Sequence, residues 1–156
     1  MPIFQGPEEH CFLLTLRTQT VETHKGQISF PGGVMESVDQ SLVETALRET
    51  WEEIGLPRTK VQVLGVFDDY RSVTDLIVTP FAAWLETPFE LTLNRSEVEE
   101  VLNAPVSLFR DITRLRIEVR RRGSLDLPVY FYDFQGKEIW GLTARIIKDF
   151  LALIDE

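Results

Sequence analysis

The chain has 156 residues (18.0 kDa), 44% of them hydrophobic, with 10 Phe, 3 Trp and 3 Tyr. That is enough apolar material to fill one domain over residues 1–156 and too much for a disordered chain. Twenty-five acidic residues against 16 basic ones give a formal charge of -9, a surface that repels nucleic acid and anionic membranes, so neither is expected as a partner. No apolar run approaches the roughly 20 residues needed to cross a bilayer, and the N-terminus lacks the basic, apolar and small-residue pattern of a signal peptide. Cys11 is the single cysteine. It excludes an internal disulfide and a cysteine-based zinc site, and the cytoplasm is the expected compartment.

In chain order, Cys11 to Arg17 is apolar and β-prone and predicts a strand. It begins so near Met1 that a sheet edge is expected to lack its usual N-terminal partner. Residues 24–30 read as a loop entering a short strand, broken by Pro31-Gly32-Gly33. Ser41 to Ile54 is the clearest helix. Ser41 and Glu44 form a capping-box pair, and Val43, Leu47, Trp51 and Ile54, flanked by Ala46 and Thr50, predict the buried face. Gly55 and Pro57 stop it. Val61 to Phe67 and Leu76 to Leu85 predict strands, and Ser96 to Leu102 reads as either a loop or a short helix. Leu115 to Arg121 alternates as a half-exposed strand does. Pro128 to Phe134 and Glu138 to Trp140 predict a hairpin about Gln135-Gly136. Thr143 to Ile154 closes the chain as an amphipathic helix with Ala144, Ile147 and Leu151 inward. Mixed strands with helices on the faces imply a layered α/β or α+β domain.

The long helix carries Glu44, Glu49, Glu52 and Glu53 beside and behind its apolar positions. Residues three and four apart on a helix are neighbours at about 5–6 Å, so Glu49, Glu52 and Glu53 form one cluster. Two such charges repel by about 3 kcal/mol at an effective dielectric of 20. A hard divalent cation turns that repulsion into coordination, and Mg²⁺ is suited by a few carboxylates plus a substrate phosphate. A solvated helix face is the plain alternative for three glutamates taken alone.

Gly33 followed by Arg48-Glu49-Thr50-Trp51-Glu52-Glu53-Ile54-Gly55-Leu56 resembles the Nudix box of hydrolases that cleave nucleoside-diphosphate-linked compounds. The resemblance implies the Nudix fold, a mixed β-sheet sandwiched between α-helices, and metal-dependent hydrolysis of a pyrophosphate. It implies Glu49 and Glu53 as principal ligands of Mg²⁺ or Mn²⁺, Glu52 as a further ligand or the general base, and the Gly32 carbonyl as a backbone ligand. It implies a small-molecule nucleotide pyrophosphate as partner and a homodimer. Arg48 is expected to orient the glutamates through charge-assisted hydrogen bonds; an ordinary ion pair with Glu44 or Glu52 is the plain reading. Glu97, Glu99 and Glu100 offer a second source of the base, because many relatives draw it from a loop after the box; a solvated turn is the alternative. Two departures stand out. Eight residues rather than seven separate Asp39, at the position of the family's first glutamate, from Arg48, and Thr50 replaces an aliphatic residue.

Leu13-Leu14-Thr15-Leu16-Arg17 and His24-Lys25-Gly26-Gln27-Ile28-Ser29-Phe30-Pro31-Gly32-Gly33 resemble the second signature of coenzyme A pyrophosphatases. Asp69-Tyr70-Arg71, Val78-Thr79-Pro80-Phe81 and Trp140-Gly141-Leu142-Thr143-Ala144-Arg145 extend the likeness over most of the chain. It implies cleavage of coenzyme A or its derivatives to 3′,5′-ADP and 4′-phosphopantetheine. Arg17 is then a phosphate contact, or else a surface ion pair. Phe30 and Tyr70 are adenine-stacking residues or core residues, and His24 is a loop hydrogen-bonder. Glu22 stands where this subgroup has an arginine, which points to ADP-ribose, a nucleotide sugar or another nucleotide pyrophosphate as the alternative. A non-catalytic module that binds a nucleotide or a protein is the remaining reading. Its candidate surface is the run of Arg114, Arg116, Arg120, Arg121 and Arg122, which holds five of the twelve arginines. The plain reading of that run is the charged outer face of an edge strand.

Overall fold

The computed structural model describes residues 1–20 and 25–155. Glu22 and His24 therefore lie outside the described residues. The architecture is a six-stranded mixed sheet and a three-stranded antiparallel sheet, with helices on their faces. The large sheet runs β3 (Ile28–Ser29), β2 (His10–Arg17), β1 (Pro2–Gln5), β7 (Phe81–Leu85), β4 (Val61–Val66), and β8 (Val98–Pro105) also pairs with β2. Only the β1–β7 pairing is parallel within it. The small sheet has the order β11 (Lys137–Trp140), β10 (Leu125–Phe134), β9 (Leu115–Arg122). Tyr70–Arg71 (β5) and Ile77–Val78 (β6) make a separate short hairpin.

β2 shows how the layers are set. Successive side chains on a strand point to opposite faces. Phe12, Leu14 and Leu16 pack under Ala144, Ile147 and Leu151 of the closing helix α3 (Gly141–Ile154), together with Tyr132 and Ile139 of the small sheet. Cys11 and Leu13 point the other way, against Ile54 and Leu56 at the end of helix α1 (Leu42–Ile54), with Phe4, Leu85 and Val98. Each large apolar side chain fully buried in these layers is worth about 1.5–3 kcal/mol. No helix among the described residues is long and apolar enough to cross a membrane.

Four sequence expectations are corrected. Residues 96–102 are neither loop nor helix: most of them belong to β8, which lies along the whole of β2. The stretch from Leu76 to Leu85 is two strands, β6 and β7, parted at Thr79-Pro80 because proline cannot donate to a ladder. No N-terminal partner is missing beside β2, because Pro2–Gln5 forms β1 between β2 and β7; the short helix α2 (Val106–Arg110) also went unread. The face of α1 is also turned. Thr45, Thr50, Glu53 and Ile54 are buried, Val43 and Leu47 are half-buried, and Trp51 is 56% exposed. Polar residues win the inner face because each has a partner there. The Thr50 hydroxyl donates to the Ala46 carbonyl (2.7 Å), Thr45 to Asp39 (3.0 Å), and Glu53 meets Arg17.

Candidate active site

The ends of α1 fix where its carboxylates point. Ser41 Oγ accepts from the Glu44 N–H at 3.3 Å, satisfying one free donor of the first turn. The box is not closed from the other side, since the Glu44 carboxylate is drawn to Arg58 at 2.6 Å. Gly55 ends the helix in the left-handed region (φ 67°), and its N–H returns to the Trp51 carbonyl. The chain then passes through a 3-10 turn at Arg58–Lys60 into β4.

Between β3 and α1, the loop carrying Gly32 and Gly33 is pressed onto the helix. A Cβ on Gly33 would stand 2.3 Å from the Glu49 carboxyl carbon, so any larger residue there would push that carboxylate out of its place. The Gly32 N–H donates to Glu53 Oε2 at 3.3 Å, and Arg17 Nη1 reaches Glu53 Oε1 at the same distance. Glu53 is 2% exposed. Its carboxyl is raised from 4.5 to about 7, chiefly by burial; Arg17 and the Gly32 N–H oppose that, and Glu49 and Glu97 reinforce it. Glu49 is also raised by burial, against Arg48, with Glu52 and Glu97 adding repulsion.

Arg48 organises the outer half of the site. Its Nε and Nη2 grip the two oxygens of Asp39 at 2.9 and 3.0 Å, Nη1 donates to Glu49 (3.1 Å) and Glu52 (2.9 Å), and Nη2 also reaches the Val34 carbonyl. The fork holds the Asp39 carboxyl well below the usual carboxylate range, helped by the Glu36 N–H and the Thr45 hydroxyl. Asp39 lies ahead of the N-cap Ser41, and its pair with Arg48 forms despite the longer spacing.

The structure divides the remaining candidates. Glu97 adds to the field on both Glu49 and Glu53. Asn94 holds it there through a 2.9 Å bond from Nδ2, while the Asn94 N–H binds the Glu53 carbonyl. Asn94 was missed in the sequence; its only signal is a position three residues before Glu97. Glu100 turns away to Lys137 (3.2 Å), and Glu99 is exposed. Tyr70 is 7% exposed, stacks on Phe67 and donates to Asp149. Phe30 packs edge-on against Phe12. Both serve the core in this arrangement. The arginine run is occupied by the chain's own acceptors: Arg114 pairs with Asp111, Arg116 with Glu118 and Glu138, Arg120 with Glu118 and Arg122 with Asp75, while Arg121 reaches the Gly123 carbonyl.

Among the described residues no three acidic, histidine or cysteine side chains stand close enough together to hold an ion as they are. The donor chemistry nevertheless fits a hard divalent cation. All the donors are oxygens, two carboxylates are partly desolvated and mutually repelling, and Arg17 and Arg48 stand in as counter-ions. Glu52, whose side chain is 49% exposed, is held at the rim by Arg48.

Comparison with known proteins identifies the family. Residues 1–121 match the model of the NUDIX domain. The chain is 40% identical over 148 residues to a protein of Photorhabdus laumondii named uncharacterized Nudix hydrolase NudL, covering 94% of this chain and 78% of that one. An Ap4A hydrolase from C. elegans, solved as a binary complex, superposes with a TM-score of 0.59 at 16% identity over 68% of this chain and 76% of its own. The NUDIX domain of Shewanella oneidensis NrtR, solved with ADP ribose, gives 0.52 at 18% identity over 68% and 69%. The chain belongs to the Nudix family, and it is a pyrophosphohydrolase of that family, whose members generally use divalent metal ions.

Proposed function

We propose that this enzyme hydrolyses the pyrophosphate of coenzyme A or its derivatives, with Mg²⁺ or Mn²⁺, acting in the cytoplasm as a single domain. The observation that carries the reading is the meeting of two motifs. Arg17 ends the Leu-Leu-Thr-Leu-Arg stretch and bonds Glu53 of the Nudix box, 36 residues away. The stretch that resembles the coenzyme A subgroup thus supplies a cation to the diphosphate site. Among the described residues Arg17 Nε is buried with no acceptor. Such a donor is costly unless something accepts from it, and a phosphate oxygen is a suitable acceptor.

Glu49, Glu52 and Glu53, with the Gly32 carbonyl, are the residues that would hold the metal. When bound, it screens the phosphate charge and lowers the pKa of the attacking water. Arg48 keeps Glu49 and Glu52 oriented, and Asp39 keeps Arg48 in place. Glu97 is the proton acceptor: water adds to one phosphorus, its proton passes to the carboxylate, and the bridging P–O bond breaks with its electron pair leaving on the departing phosphate. Glu52 is the second candidate for that role.

A second reading, another nucleotide pyrophosphate such as ADP-ribose, rests on Glu22, since a carboxylate repels the 3′-phosphate of coenzyme A. A panel of coenzyme A, dephospho-coenzyme A, ADP-ribose and nucleotide sugars, each with Mg²⁺ or Mn²⁺ and resolved by product chromatography, tests both. Formation of 3′,5′-ADP and 4′-phosphopantetheine at the highest kcat/KM is expected. A clear preference for any other compound overturns the assignment.

A further inference from the structure

β3 is two residues long, yet it carries the chain into Pro31-Gly32-Gly33. It pairs with β2 through Thr15 opposite Ser29 and Leu16 opposite Ile28, and the Arg17 N–H reaches the Gln27 carbonyl at 3.0 Å. Opposed residues of an antiparallel pair alternate between bonded and non-bonded. Gln27 and Ser29 therefore turn their backbone groups toward β2, and the Ile28 carbonyl between them faces away. Ile28 is buried, where an unpaired carbonyl is costly. Thr143, in the first turn of α3, supplies the donor: its Oγ1 meets the Ile28 carbonyl at 3.2 Å. Thr15 of β2 donates its own Oγ1 to the next carbonyl, that of Ser29, also at 3.2 Å. Two consecutive carbonyls are thus held by hydroxyls from two different elements. Three of the stretches that resemble the coenzyme A subgroup meet here, with Thr15 in the first, Ile28 and Ser29 in the second and Thr143 in the last.

Neither hydroxyl is needed for packing. Thr15 and Thr143 are 1% and 9% exposed, and valine would fill either place with nearly the same shape and no hydroxyl to desolvate. What the hydroxyls add is position. Only Phe30 and Pro31 separate Ser29 from Gly32, and Phe30 is itself packed against Phe12. Gly32 then gives its N–H to Glu53 Oε2 at 3.3 Å, and Gly33 lies against the Glu49 carboxylate. A shift of β3 therefore passes directly to the loop beside both carboxylates. Ligands of a divalent ion must lie within about 0.2 Å of their preferred distances. We propose that Thr15 and Thr143 are positioning residues for the metal site: their hydroxyls fix β3, and through it set the Gly32 carbonyl against Glu53. They touch neither ion nor substrate. This role rests on the metal assignment above and not on the choice of substrate.

Mn²⁺ titration followed by electron paramagnetic resonance reads ion affinity of the full chain without turnover. Thr15→Val and Thr143→Val should each weaken Mn²⁺ binding about tenfold, the loss typical of groups that hold a ligand in place, with an unchanged circular dichroism spectrum. Thr15→Ser and Thr143→Ser keep the donor and should bind within about twofold of wild type. Alanine at each position, read against serine, repeats the contrast at smaller volume should valine unsettle the fold. In the ion-free chain, hydrogen exchange at the Gly32 amide should quicken in the Val variants and not in the Ser variants, because its bond to Glu53 loosens. Ile147→Val trims the same buried cluster without removing a hydroxyl. It should lower the melting temperature and leave Mn²⁺ affinity alone. A wild-type chain that takes up no Mn²⁺ overturns the metal reading and this role with it. A wild type that binds while the Val and Ala variants bind as tightly overturns the positioning role alone. Ser variants that fail to recover affinity, or an Ile147→Val loss equal to that of the Thr variants, do the same.

Discussion

Glu53 is where function and stability oppose each other, and Glu53→Gln measures both. The carboxyl is raised from 4.5 to about 7 in the fold, mainly by burial. That displacement corresponds to about 3 kcal/mol between its two protonation states. With only 3% of the side chain exposed, solvent screens little of it. Because the folded pKa lies above the unfolded one, the associated stability is fully present below pH 4.5 and is lost as pH rises through about 7. Glutamine keeps the shape and the acceptor for the Gly32 N–H and carries no charge, so it resembles the protonated form at every pH. In chelator at pH 8, the variant should therefore be more stable than wild type by about 2–3 kcal/mol, with the two converging below pH 4.5. Urea unfolding at the two pH values reads this. Saturating Mg²⁺ should stabilise wild type much more than the variant, and turnover of the variant should fall by orders of magnitude. A glutamine variant less stable than wild type at pH 8 in chelator would refute the reasoning, because the Arg17 pair would then outweigh the cost of burying the charge.

Three further outcomes follow from distances. Asp39→Ala removes both acceptors of the Arg48 fork and should lower kcat about 10–100-fold, with KM little changed; an unaltered kcat would mean that Arg48 needs no brace. Glu97→Gln should lower kcat by about 10²–10⁴, whereas Glu100→Gln, which only frees Lys137, should leave it near wild type. Steady-state assays showing the reverse order would move the base to Glu100. Gly33→Ala places a methyl 2.3 Å from the Glu49 carboxyl carbon, so activity should drop sharply while the melting temperature shifts little, as the loop is exposed.

The parts of this molecule that were legible in the sequence are those with local causes. Ser41 and Gly55 mark the ends of α1 because a cap acts within one turn, and the spacing of Glu49, Glu52 and Glu53 is a property of any helix. The inner face of α1 was misread because apolar periodicity ranks Leu47 and Trp51 above Thr45, Thr50 and Glu53. The preference is reversed by partners such as Asp39, six residues from Thr45, and Arg17, 36 residues from Glu53. β8 was hidden for a similar reason. Val98-Glu99-Glu100 is polar enough to read as a turn, and only its register against β2, with Glu100 opposite Leu16, makes it a strand. The separation of Glu97 from Glu100 was likewise invisible, since it depends on Lys137 arriving from the small sheet.

The two arginines also balance the charge of so acidic a site. Arg48 bonds Asp39, Glu49 and Glu52 at once, and Arg17 bonds Glu53, so every carboxylate of the ridge has a guanidinium neighbour. The two cations are not equivalent. Arg48 is clamped by Asp39, whose side chain is 3% exposed, and gives up Glu49 and Glu52 without leaving its place. Among the described residues Arg17 has no such clamp: its Nε is unbonded and Glu53 is its one ion-pair partner. Were Glu53 to hold a divalent ion, its oxygens would give up the whole Arg17 guanidinium, whereas Arg48 would lose only part of its bonding. The planar donor fork of Arg17 suits a phosphate better than a lysine's point charge would. Metal binding there would thus also ready Arg17 for an anion. An acidic protein that must attract a polyphosphate needs that order, with positive charge exposed only once the carboxylates are neutralised.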